Sequence, residues 1–338
     1  MMQKTSPRRS LLTAIAVLLL AGSASVSAAA LKIATLAPEG SSWMREMRAA
    51  GDAVKAQTAG RVELKYFPGG VMGSGETVLR KIKLGQLNGG AFAATELTSI
   101  FPDVQIYGLP FLFETIDQVQ AARKIVDPMI KAGFEKKGMS IGGITGGGFI
   151  YLMSTKPIST QAEMRKTKVW VPEGDSIARV AFDEAGMSPV QLSLGDVYTS
   201  LQTGLVDTVG NTTTGAVAFQ WATKLKMMID LPVSYTVGIL TFDNRALGKL
   251  TPEDKAIVLA EIGKAFAKLE STNAVDDAKT RETLRAEGIE IVKPSAAEVE
   301  AWRDVGRRTQ ARLRKDGVIS SELLEALLGQ GKPAAAGS

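Results

Sequence analysis

Acid–base chemistry in this sequence would fall to carboxylates, lysines and tyrosines, because none of its 338 residues is a cysteine or a histidine. That absence excludes zinc sites built on Cys or His, haem with a His axial ligand, thiol nucleophiles and disulfides. It also excludes the Ser-His-Asp relay, since no other side chain has an unperturbed pKa poised near neutrality. An enzyme made from this chain would rest on paired carboxylates, Lys, Tyr or a hard metal ion, and its Asp and Glu are scattered without a close pair. No catalytic residue, metal site or cofactor is therefore expected.

Three other features could meet a ligand. The glycine-rich run from Gly142 to Gly148 is the densest in the chain. It lacks the GxxxxGK spacing of a phosphate loop and precedes an apolar strand, Phe149 to Met153, where a phosphate loop precedes a helix. The expected use is a crossover where backbone lies close to backbone, or to a ligand. Asn211 ends a strand, as a turn former or as a polar group at a site. Glu173 stands just before a helix, either complementing its dipole or facing a cleft and favouring a cationic solute. Asp196 and Asp207 read as structural.

Alternating strands and helices must position these groups. Leu31 to Leu36 alternates and opens the domain as a strand. Trp43, Met47, Ala50 and Val54 form one apolar helical stripe, with Ser41 or Ser42 to cap it and Gly60 to end it. Val62, Leu64 and Tyr66 alternate with Glu63 and Lys65 as a half-buried strand. A helix through Val78, Leu79 and Ile82 and a small-residue strand over 90–94 continue the order, which argues for parallel α/β packing. From Lys168 to Leu231 the alternation goes on: strand Val169–Pro172, a helix capped by Asp175, strand Val190–Leu192, a helix ended by Gly204, and a strand reaching Asn211. Thr251-Pro252-Glu253-Asp254 starts a helix that runs to about Glu287. Ser295 to Glu298 is a capping box for a final helix.

The ends read differently. Lys4, Arg8 and Arg9 precede an apolar run, Leu11 to Ala21, and then small residues, the three-part pattern of an export signal. The run is shorter than the ~20 apolar residues of a spanning helix. Arg8-Arg9-Ser10-Leu11-Leu12 suits a twin-arginine signal as well as an ordinary Sec one. Removing these three basic residues takes the net charge from +5 to +2. No run of basic residues suits nucleic acid.

Four segments, in this order, resemble the substrate-binding subunits of TRAP (tripartite ATP-independent periplasmic) transporters: Leu84 to Leu87, Leu109 to Phe113, Lys168 to Pro172, and Asp196 to Asp207. The resemblance spans about 31–328. It implies an α/β fold, a two-lobed periplasmic binding protein with interchanged strands, a long helix across both lobes and a ligand cleft between them. It divides the chain into a signal peptide (1–29), lobe I (30–147 plus 237–276), lobe II (148–236 plus 277–328) and a disordered tail (329–338). In that family an arginine in the strand before a proline pairs with the ligand carboxylate, and the matching position here is Trp170. An indole offers one N–H and no charge where a guanidinium offers a charged fork. By the same resemblance Asn211 reaches the ligand, Phe149 and Tyr151 form an aromatic wall, and Trp43 and Trp221 border the cleft.

The expected function is capture of a small organic solute by a monomer in the periplasm, and its delivery to a TRAP-type membrane permease. An exported carboxylate-based hydrolase or lyase, and a receptor feeding a membrane sensor kinase, stay open beside it. For the ligand, a carboxylate ranks first, an aromatic or largely apolar acid second, and a neutral or cationic solute third.

Overall fold

The structure, a computed structural model, describes residues 28–328, the side chains of 273–278 and 328 excepted. Nearly all of the expected signal segment, residues 1–27, and the whole expected tail lie outside the described residues. In chain order the elements are β1 (Ala29–Thr35), α1 (Ser42–Gln57), β2 (Val62–Phe67), α2 (Gly75–Lys83), β3 (Gly89–Ala93), α3 (Ile116–Lys136), β4 (Met139–Ser154), β5 (Trp170–Pro172), α4 (Ser176–Glu184), β6 (Val190–Leu192), α5 (Val197–Thr203), β7 (Thr208–Asn211), α6 (Thr213–Ala218), β8 (Met227–Ile229), β9 (Ser234–Asp243), α7 (Pro252–Ala286), β10 (Glu290–Val292), α8 (Ala296–Lys315) and α9 (Ser321–Leu328).

Local chemistry sets most of these boundaries. The side chains of Ser41, Ser74, Asp175, Thr251 and Ser295 each cap a helix by accepting a first-turn N–H. Gly204 closes α5 in the left-handed region.

One sheet runs through both lobes in the order β10-β8-β4-β9-β3-β1-β2, with β7 also paired to β4. β1 lies parallel to β2 and β3, while β9 pairs antiparallel with both β3 and β4. The two long strands make the fold two-lobed. β4 pairs with β9 from Met139 to Ile150, then with β7 and β8 over its last residues. Each lobe thus shares a strand with the other. The 35-residue helix α7 packs on α1 and β4 and reaches α6, where the Thr213 and Thr280 hydroxyls lie 2.8 Å apart. Apolar clusters fill both faces of the sheet: Ile33, Val54 and Phe266 on one side of the first lobe, Val78, Val126 and Ile239 on the other. In the second lobe Met153 and Val209 belong to one cluster, Leu152 and Val171 to another.

The run from Gly142 to Gly148 lies inside β4, the long strand shared by both lobes, and its neighbours approach closely. A Cβ on Gly142 would stand 3.0 Å from the Phe242 ring, and one on Gly143 would enter the ring of Phe266. Gly142 and Gly143 let Ile262 and Phe266 of α7 lie directly on the sheet. Register shifts, with an extra β4 residue each, fall between Ile141 and Gly143 and between Gly146 and Gly148. The sequence reading also ends at α8, whereas a further helix, α9, follows it. Leu323 and Leu324 of α9 join Val119 and Ala122 of α3 in one apolar cluster, so the end of the chain packs on the first lobe although 277–328 was expected wholly in the second.

Candidate functional site

A cavity of about 390 Å³ opens where the lobes meet. On one side stand the end of β1, the first turn of α1 and the end of β3; on the other, β5, the start of α4, and the β7–α6 junction. The carboxyl ends of parallel strands are where open α/β sheets bind ligands. The walls are mostly aromatic and aliphatic: Phe92, Phe111, Trp170, Phe219, Tyr235 and Trp302 all contribute. Phe111 is held at φ 54°, a left-handed conformation that a bulky side chain adopts only under local constraint. Its N–H bonds to the Val233 carbonyl at 2.9 Å.

Two side chains stand out in this apolar setting. Asn211, the last residue of β7, turns its Oδ1 to accept the N–H of Thr212 at 2.8 Å. Its Nδ2 is buried and has no partner among the described residues. Trp43, in the first turn of α1, packs edge-on against Phe266 at 5.2 Å, and its Nε1 is likewise buried without a partner. Both residues line the cavity. A buried N–H without an acceptor costs about 1–3 kcal/mol, and a ligand oxygen would recover it.

Two acids share the walls. Glu96 accepts the N–H of Ala93 at 2.9 Å and that of Gly75; burial pushes its carboxyl up to about 7. Asp175, the cap of α4, accepts from Ala178 at 2.8 Å and from Ile177, and burial pushes it up to about 6. Among the described residues no lysine or arginine lines the cavity.

The expected site residues divide. Trp170, Asn211 and Trp43 line the cavity together. Trp170, however, offers no donor: its Nε1 already donates to the Leu192 carbonyl at 3.0 Å, and its ring meets Trp221 edge-on at 5.4 Å. Trp221 is buried behind it and is not part of the wall. Phe149 and Tyr151 do not line the cavity either. Ile150 and Leu152, the alternate residues of β4, do. Phe149 packs edge-on to Tyr235, and the Arg281 guanidinium lies over the Tyr151 ring at 4.6 Å. Glu173 is exposed and borders a smaller neighbouring pocket, which also touches Glu96. Sequence reading missed Glu96 and Phe111 as wall residues. Phe111 had a signal, since it lies in the segment Leu109 to Phe113; Glu96 had none.

The model of the bacterial extracellular solute-binding proteins, family 7, matches residues 33–316. This chain belongs to that family. The family 7 chain is 26 % identical over 246 residues to the YiiZ protein of Salmonella typhimurium, covering 70 % of this chain and 72 % of that one. It is 20 % identical over 285 residues to the 2,3-diketo-L-gulonate-binding periplasmic protein YiaO of Escherichia coli, covering 82 % and 84 %. Its fold matches that of a TRAP periplasmic solute-binding protein from Desulfovibrio salexigens, solved with bound orotic acid, at a TM-score of 0.82 and 22 % identity over 89 % of this chain and 98 % of that one. Family 7 membership makes the chain a solute-binding receptor and not an enzyme, and small-molecule sites lie preferentially in apolar pockets between domains. Among the described residues no helix is long and apolar enough to cross a membrane.

Proposed function

We propose that this family 7 receptor captures a small organic solute in the interlobe cavity, outside the cytoplasmic membrane, and hands it to a TRAP-type permease. The lobes, about 30–147 plus 237–276 and 148–236 plus 277–320, close on the solute by bending where β4 and β9 pass between them, with α9 riding on the first. The chain acts as a monomer in the periplasm after removal of a signal ending near Ala29.

The observation that carries this reading is the pair of unpartnered donors, Asn211 Nδ2 and Trp43 Nε1, on opposite walls of one apolar cavity. Most buried polar groups in folded proteins are hydrogen-bonded, so two donors left unmet on the walls of one cavity favour an acceptor arriving with a ligand. The presence of solutes in relatives of this fold points the same way. Asn211 and Trp43 fix the solute's oxygens, while Trp170, Phe92 and Phe219 supply shape and desolvation.

The test is calorimetric titration of the mature chain with a panel of small organic solutes, followed by mass analysis of the recovered solute. A receptor returns it intact, and Asn211→Ala weakens binding. Turnover of the solute, or binding that ignores Asn211, would overturn the proposal. Delivery is tested by uptake in proteoliposomes holding the permease, with and without the receptor.

A further inference from the structure

We infer that the solute is uncharged: a largely apolar, ring-bearing molecule with a carbonyl- or amide-type oxygen that accepts from Asn211 and Trp43, and not a carboxylate anion. This deepens the proposed function and rests on the interlobe cavity being the solute site.

The charges and unmet hydrogen bonds around the cavity set the class of solute it can hold. No lysine or arginine among the described residues lines the cavity, whereas Glu96 and Asp175 do. A carboxylate enclosed there would lose its hydration without a countercharge, and burying an unpaired charge is far costlier than burying a neutral polar group. Two acids nearby add repulsion, and an anion between them would raise their already elevated pKa values further. Trp170 provides no compensating donor, because its N–H is taken by Leu192.

The same count argues against a cation. Glu96 and Asp175 each already accept two backbone N–H groups, so both carboxyls have partners without an ammonium. The buried side-chain groups without partners that line this cavity, among the described residues, are both donors, and donors call for an acceptor on the solute. The rings around them suit a flat apolar body.

The experiment uses matched triplets on phenyl, indolyl and cyclohexyl rings: the acetamide, the acetate and the ethylamine of each, titrated into the mature receptor at pH 7.5. Within at least one ring series the amide should bind tenfold or more tighter than the acetate and the amine. Asn211→Ala and Trp43→Phe should each weaken the amide about tenfold. An acetate or amine that binds best, and is weakened by the same substitutions, overturns the charge assignment while leaving the cleft reading standing. Binding untouched by both substitutions places the solute elsewhere and sinks the cleft reading itself. Failure of all nine probes to bind at millimolar concentration also overturns the proposal, since a cavity of this size should admit at least one of the rings.

Discussion

Trp43 and Gly238 are fitted to each other: a Cβ on Gly238 would stand 2.7 Å from two carbons of the indole ring. Helix α1 can hold Trp43 at the cavity wall only because β9 has no side chain at that point. Phe266 on α7 then meets the ring edge-on.

Gly238→Ala should therefore push the indole off β9. Overpacking of this kind costs about 1–3 kcal/mol. The expected outcome is a lower Tm, a shifted tryptophan emission and weaker solute binding. An unchanged emission spectrum would show that the ring has room to spare.

Asn211 does two jobs with two atoms. Asn211→Asp keeps the Oδ1 bond to Thr212 but removes the amide donor, so it should lose solute affinity by about tenfold, or ~1.4 kcal/mol, with little change in Tm. Asn211→Ala should lose both, adding a stability cost of about 1 kcal/mol. Calorimetry alongside thermal melts separates the two effects.

Stability should fall as pH rises through the weakly acid range. Burial raises the folded-state pKa of Glu96 from 4.5 to about 7 and of Asp175 from 3.8 to about 6. The folded chain then holds more protons than the unfolded one between those values, so their contribution is full at low pH and lost as pH climbs past the folded pKa. Glu96→Gln should flatten the upper part of a Tm-against-pH curve between pH 4.5 and 7. A variant curve that keeps the wild-type slope would remove Glu96 as its cause.

Arg123 ties α3 to β4 and α7. Its guanidinium donates to Asp127 at 3.0 Å, to Glu270, and to the Ile144 carbonyl at 2.9 Å, while Glu270 also accepts the Gly146 N–H. Arg123→Met strands two partly buried carboxylates and should cost about 3 kcal/mol in urea denaturation. Neutralising both acids in the same background should recover part of that loss.

Trp170→Phe should keep the cavity wall but leave the Leu192 carbonyl without its indole partner. We expect about 1 kcal/mol of lost stability and a change in solute affinity of less than threefold. A large loss of affinity would mean that the indole N–H turns to the solute on closure.

Much of the fold was legible because its determinants are local. The caps at Ser41, Asp175, Thr251 and Ser295, the stripe of Met47, Ala50 and Val54, and the left-handed Gly204 all act within a turn or two of chain. They place α1, α4, α5, α7 and α8 close to where the sequence reading expected them. Asn211 at a strand end and the absence of Cys and His likewise follow from the sequence.

The tertiary structure decided the rest. Period-2 alternation says that Phe149 and Tyr151 share a face, but not which face meets the cavity, and the extra residue between Gly146 and Gly148 resets that alternation partway along β4. The donor of Trp170 is lost to Leu192, 22 residues away, and the ring of Trp43 is placed by Gly238, nearly 200 residues away. Glu96 and Asp175 come to one cavity only when the lobes fold together. Local chemistry chooses helix or strand; which polar atoms remain unmet beside a cavity depends on contacts between distant segments, and those exist only in the folded chain.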